Sequence, residues 1–450
     1  MLLTFLIGLL ALYIPGTTGD VSSAWIWPPL GVTFTMILNA VAYWVGSKTA
    51  SRLGRFGGGG MRAVRTFKML KVGIVGFVLV DVFAFHWPAF VLDVFTTGPA
   101  PGQPLVPLLG DLLLLTPLLV MIGTAMAFRY RFEKNRSGGR PTRLGLRRYL
   151  ALRFRTELGI LLFPWLALVM VSDVTLLIWG GSSYFPYIDT AVSLVLVAGL
   201  VTVGPAFLRI IWDTSSLPAN SLRQRLEDYC EEHEFRCRDI LVWHTHKHIP
   251  NAAVVGPLSA MRYVLVTDSL LENCTEEEIE GIFAHEVGHT RHHHLGFYLL
   301  FALTYGCLSM NLMDLVGKTG LVETVSSLFA SPVGQGQAIL MLAFTILYWL
   351  VGFGYVSRRM EQHADLFALR TSSNPRAFIR ALEKLSLLSG RPSRAGSWRH
   401  FSIARRTRFL QEVLKNPERG RQLLRRVFRL RMAVVVAFVA GAIRLLLLVI

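Results

Sequence analysis

Long apolar runs recur along this chain, and they constrain its fold more than any other feature. A helix needs roughly 20 apolar residues to span a bilayer. Nine runs approach that length: Leu2 to Ile14, Ala24 to Val45, Val72 to Val94, Leu112 to Phe128, Leu158 to Trp179, Thr190 to Leu208, Gly296 to Leu315, Ala338 to Val356 and Met432 to Ile450. Each must satisfy its backbone polar groups internally, so the expected fold is mainly α and polytopic, with about nine transmembrane helices. Composition agrees: 52% of residues are hydrophobic and mean hydropathy is +0.47. The first run is short and is open to a second reading as a cleaved signal sequence, although it lacks a basic start. The last contains Arg444, a side chain long enough to snorkel to the headgroups.

Lys and Arg total 46 against 29 Asp and Glu, a net charge of +17, and the meaning of that excess depends on where it sits. Ser47 to Met69 carries Lys48, Arg52, Arg55, Arg62, Arg65 and Lys68. The loop after Phe128 runs from Arg129 through Arg131, Lys134, Arg136, Arg140, Arg143, Arg147, Arg148 and Arg153 to Arg155. Cytoplasmic loops of membrane proteins are the ones enriched in Lys and Arg, so both read as cytoplasmic. The alternate loops hold only Lys318. Parity then places Trp212 to Leu295 and Ser357 to Arg431 on the cytoplasmic side, and topology accounts for the charge without nucleic acid. Four cysteines, none in a Cys-x-x-Cys pair, exclude a zinc ribbon and suit a reducing compartment.

The expected organisation is a six-span membrane region over 1–211, a polar segment over 212–295, a transmembrane hairpin over 296–356, a second polar segment over 357–431 and a final apolar segment over 432–450. The polar segments read as α+β. Leu222, Leu226 and Tyr229 in "SLRQRLEDYCEEHEF" share a helical face. "DILVWHTH", "NAAVVG" and "RYVLVTDSLL" have the look of strands. "CTEEEIEGIFAHEVGHTRHHH" opens with Thr275 and Glu278 at capping-box spacing, followed by Ile279, Ile282, Phe283 and Val287 at helical intervals. This helix is expected to feed into the membrane run near Gly296.

His285 and His289 stand four apart on that helix, so both imidazoles project from one face and can bind a single zinc ion. Glu286 lies beside the first histidine, the place of the proton acceptor in the His-Glu-x-x-His pattern. Gly288 between the ligands costs roughly 1 kcal/mol relative to Ala, which points to a close approach there. A third ligand is needed. In "SRRMEQHADLFAL", directly after Ala338 to Val356, Glu361 would complete the set and Asp365, one turn on, would hydrogen-bond a ligand histidine. His363 points to another face at this spacing. The two intervening spans return this motif to the side that holds the first.

These motifs resemble the integral-membrane gluzincin zinc metalloproteases, which include the HtpX heat-shock proteases and the Ste-type CAAX prenyl endopeptidases. "NAAVVG", "VLVTDSLLENCTEEEIEGIFAHEVGH" and "SRRMEQHADLFAL" carry the resemblance, over about Ser221 to Leu382. It implies a cytoplasmic gluzincin-type protease domain split by the hairpin. It also implies one zinc ion per chain held by His285, His289 and Glu361, with Glu286 as base. The edge strand of Asn251, Ala252, Ala253 and Gly256 would pair with an extended protein or peptide substrate, and His400 and Arg406 would help stabilise the oxyanion. Phe401 departs from the family, where Pro commonly follows that histidine.

Other polar groups carry weaker signals. His292, His293 and His294 read as a polar collar at a membrane exit. His244, His246 and His248 would share one strand face, open to a second metal or to a solvated loop. Asp81, His86 and Asp173 lie at membrane depth, where ionisable groups either serve function or pair with polar neighbours. The expected activity is hydrolysis of peptide bonds in membrane, lipidated or misfolded proteins at the cytoplasmic face of a cell or inner membrane. The rival from another class is a channel or transporter with a regulatory zinc-binding segment. Oligomeric state is not legible.

Overall fold

The computed structural model describes residues 26–54, 59–95, 104, 106–136, 145–247, 249–328, 333–389 and 392–449, together with Thr4, Phe5, Gly8 and Leu12. The expected run Leu2 to Ile14 therefore lies mostly outside the described residues, and His248 lies outside them altogether. The chain divides into two compact units, Met1–Val201 and Thr202–Ile450.

The first unit contains α1 (Trp27–Gly54), α2 (Gly59–Phe83), α3 (Trp87–Phe95), α4 (Leu109–Arg136), α5 (Leu146–Arg153), α6 (Ile160–Trp179) and most of α7 (Phe185–Ile211). A π-helical turn, Phe154–Gly159, joins α5 to α6. Val32, Tyr43, Ile74, Val78, Leu115, Leu118 and Met121 pack its core. The expected run Val72 to Val94 is one span only in a broken sense, because its two helices meet at a 55° bend. His86 takes φ 49 there, and Pro88 has no N–H to continue the helix. Asp81 is fully buried and accepts a hydrogen bond from Thr35 Oγ1 at 2.7 Å. Asp173 accepts one from the Leu108 N–H at 2.9 Å.

The second unit adds β1 (Thr214–Ser216), α8 (Ser221–Glu232), β2 (Asp239–Trp243), β3 (Ala252–Val255), β4 (Tyr263–Thr267) and α9 (Asp268–Asn273). It continues with α10 (Glu276–Arg291), α11 (His294–Gly317), α12 (Leu321–Leu328), α13 (Val333–Ile346), α14 (Gly354–Thr371), α15 (Pro375–Leu388), α16 (Ile403–Lys415) and α17 (Glu418–Val449). The sheet order is β1-β2-β4-β3, with β2 and β4 parallel and both outer pairs antiparallel, so β3 is an edge strand. Leu226, Val264, Phe283, Met360, Phe378 and Leu410 join sheet and helices in one core.

Among the described residues seven helices are long and apolar enough to cross a membrane, or eight with the bent pair as one span. They coincide with the eight expected runs from Ala24 onward. Several continue well past the apolar part: the last begins at Glu418 rather than Met432, and Ile339–Thr371 carries straight on into the residues of the second motif. Arg444 is partnered inside this unit, with Nη2 3.0 Å from Asp314 Oδ2 on α11.

Candidate active site

Two helices build the site. α10 starts as its residues dictate: Thr275 Oγ1 accepts the Glu278 N–H at 3.3 Å, and Glu278 Oε2 accepts the Thr275 N–H at 2.9 Å, a closed capping box. It can lie close against α14 because Gly288 has no side chain; an added Cβ would sit 3.0 Å from Phe367 Cδ1 and 3.3 Å from Ala364 Cα. α14 leaves the membrane run through a π-helical turn, Leu347–Phe353, and delivers Glu361 and Asp365 to the same place.

His285 Nε2 and His289 Nε2 are 3.3 Å apart, His285 Nε2 is 3.7 Å from Glu361 Oε2, and His289 Nε2 is 3.6 Å from Glu361 Oε1. Tetrahedral zinc with nitrogen and oxygen ligands at about 2.0–2.2 Å needs ligand atoms roughly 3.3–3.6 Å apart. The donor set therefore fits the metal in both chemistry and spacing. These three residues are the group of potential ligands found together among the described residues. The histidines at 244 and 246 do not share a strand face: β2 ends at Trp243, His244 Nε2 lies 2.8 Å from Ser215 Oγ, and His246 turns the chain at φ 52.

Each ligand has a partner behind it. His285 Nδ1 is 3.0 Å from Asp365 Oδ1. Arg406 of α16 grips that carboxylate with two hydrogen bonds, Nε to Oδ2 at 2.9 Å and Nη2 to Oδ1 at 2.5 Å. His400 Nδ1 is 2.9 Å from Glu361 Oε2. Its loop is held by Arg358 Nη1 donating to the Trp398 carbonyl at 2.7 Å and by Ser397 Oγ accepting the His400 N–H at 3.0 Å. Arg406 is thus engaged by Asp365 rather than open to substrate, a different position from the one the resemblance implied, because the fully buried carboxylate demands a charged partner.

Glu286 lies on α10, which packs against β3, the outer strand of the sheet among the described residues. Burial, with Glu361 nearby, pushes its carboxyl up to about 7, against the opposing pull of His285, Arg406 and the Val254 backbone. Burial also pushes His289 down to about 4, helped by His285, so its ring is neutral at pH 7. Asn251 closes the end of β3 on β4: its N–H donates to Thr267 Oγ1 at 3.0 Å, and its carbonyl accepts the Thr267 N–H at 3.1 Å. Gly256 ends the strand at φ +104, where a Cβ would meet the Met261 carbonyl oxygen at 2.3 Å.

The collar reading fails for His294, which is buried at 1% exposure and touches His289. A straight helix would carry it elsewhere; His293, at φ 51, kinks the chain between α10 and α11 and brings it back. No spacing rule on the sequence reveals this.

Residues 216–425 match the model of Peptidase family M48. The chain is 27% identical over 229 residues to a CAAX prenyl protease 1 homolog of Arabidopsis thaliana, covering 48% of this chain and 51% of that protein. It is 28% identical over 142 residues to a Protease HtpX homolog of Campylobacter concisus, covering 31% and 48%. The chain thus spans about half the length of these curated relatives. The crystal structure of S. mikatae Ste24p is similar in fold, with a TM-score of 0.56 and 16% identity over 85% of this chain and 99% of that one. The likeness first seen in the motifs is therefore borne out: over residues 216–425 this membrane protein is similar to Peptidase family M48, alongside the HtpX and CAAX prenyl proteases.

Proposed function

We propose that this protein is a zinc-dependent membrane endopeptidase that cleaves membrane, lipidated or misfolded proteins, with its site facing the cytoplasm. The observation that carries the reading is the convergence of His285, His289 and Glu361 at ligand spacing, beside Glu286 on α10, the helix that packs against the edge strand β3. The basic loops before and after the spans support the orientation.

A zinc ion held there would supply Lewis-acid polarisation of the scissile carbonyl and acidify water. The chain's own residues do the rest. Glu286, titrating near neutrality, takes a proton from the attacking water and returns it to the leaving amine. β3 aligns an extended substrate by adding it as a further strand. His400, its side chain 46% exposed and its Nδ1 2.9 Å from Glu361 Oε2, would stabilise the charge that develops on the carbonyl oxygen. Arg406 acts through Asp365, fixing His285.

Glu286→Gln tests this in the full-length protein reconstituted in membranes. Zinc content should remain as in the parent while proteolysis of a denatured membrane substrate disappears. Fragments that persist unchanged in the peptidome of Glu286→Gln membranes would remove Glu286 from the chemistry and favour a regulatory or transport role.

A further inference from the structure

His292 and His294 adjoin the membrane run, and His363 follows Glu361 by two residues; none of the three is used above. The structure joins them into one array. His294 Nδ1 lies 2.9 Å from His289 Nδ1, and His294 Nε2 lies 3.2 Å from His363 Nδ1. His363 stacks on His292 with ring centroids 3.8 Å apart, and Arg431 of α17 holds the His292 carbonyl at 2.5 Å.

Proton counting gives the array a direction. His289 turns Nε2 toward His285 and Glu361, so in a metal-binding neutral ring its single proton sits on Nδ1. That proton is donated to His294 Nδ1, which must be bare. His294 then carries its proton on Nε2 and donates it to His363 Nδ1. Two hydrogen bonds thus fix three tautomers, with no carboxylate in the chain of contacts.

We propose that His294 and His363 are positioning residues for His289, an imidazole relay that fixes its ring and tautomer for metal binding. The inference rests on the zinc-site reading. It also ties that ligand to the first turn of the membrane helix α11 and, through His363, to α14, the helix that carries Glu361. A tilt of α11 would then be felt at the metal directly, through two hydrogen bonds.

The test is zinc affinity by chelator competition in the full-length protein, with 15N histidine spectra of the metal-free form reporting tautomers. His294→Leu should weaken zinc about 10–100-fold, the usual effect of losing a ligand's hydrogen-bond partner, and should release His289 from its single tautomer. His294→Asn, whose amide oxygen can stand where Nδ1 stood, should stay within a few-fold of the parent and keep the tautomer. His363→Leu should fall between the two, and it carries the comparison if His294→Leu does not fold. Affinity within two-fold of the parent for His294→Leu or His363→Leu, with the His289 tautomer unchanged, overturns the relay while leaving the zinc site intact. If instead His285→Leu binds zinc as tightly as the parent, the site reading itself has failed and the relay goes with it.

Discussion

The two sides of the candidate metal site are built on opposite principles. Behind His285 stands a charged pair, Asp365 and Arg406, with the carboxylate fully buried and the guanidinium side chain 12% exposed. Behind His289, among the described residues, stand the imidazoles of His294 and His363. Equivalent ligands one helical turn apart therefore differ in what holds them. A buried charge keeps its partner obligatory, because removing either member strands the other in low dielectric. A neutral relay can lose a member at the expense of hydrogen bonds only. The difference predicts that losses on the His285 side fall on folding as well as on metal affinity, and losses on the His289 side mainly on metal affinity.

The largest effect should come from Arg406→Leu, which leaves Asp365 buried without its cation. Stability should fall by about 3–5 kcal/mol, read as chemical denaturation of the metal-free protein in detergent. A loss as small as that of His294→Leu would abolish the distinction between the sides. Asp365→Asn keeps the shape but removes the charge. Zinc affinity should drop about 10–100-fold, and Asp365→Asn combined with Arg406→Leu should destabilise less than Arg406→Leu alone. Strictly additive losses in that double-mutant cycle would mean that the pair is not a unit.

Gly288→Ala is the symmetric control, since it presses on Phe367 and Ala364, which flank both backing residues of α14. Forcing a methyl into a close helix contact costs about 1–3 kcal/mol, offset by roughly 1 kcal/mol of helix propensity. Stability and zinc affinity should therefore decline together by about 1 kcal/mol. A change in zinc affinity alone would place the close approach at the site rather than in the helix packing.

Much of the site was legible because it is local. The spacing of His285, Glu286 and His289, and of Glu361 and Asp365, survives translation into structure because a helix turns by a fixed angle per residue. The capping box at Thr275 and the strand before Gly256 are equally local and appear where their residues indicate. The spans from Ala24 onward are legible for a similar reason, since lipid demands a continuous apolar surface of known length.

What escaped was decided by a break or by a neighbour. The span near Asp81 bends 55° where His86 and Pro88 interrupt it, and apolar composition carries no trace of the angle. Arg406 looked available to substrate, and only the packing of α16 on α14 shows it committed to Asp365. His294 looked like a headgroup collar until the left-handed His293 placed it behind a ligand.

The sequence by itself determined that this chain lies in a membrane and carries a His-Glu-x-x-His helix followed, one hairpin later, by Glu361 and Asp365. The first follows from apolar runs of bilayer length, the second from a helical repeat a few residues long. Tertiary structure alone decided which groups stand behind each ligand, because those contacts join residues from 5 to 80 positions apart across separate helices, such as His289 with His294 and His285 with Asp365. No repeat in a sequence encodes the distance between two side chains that only folding brings together.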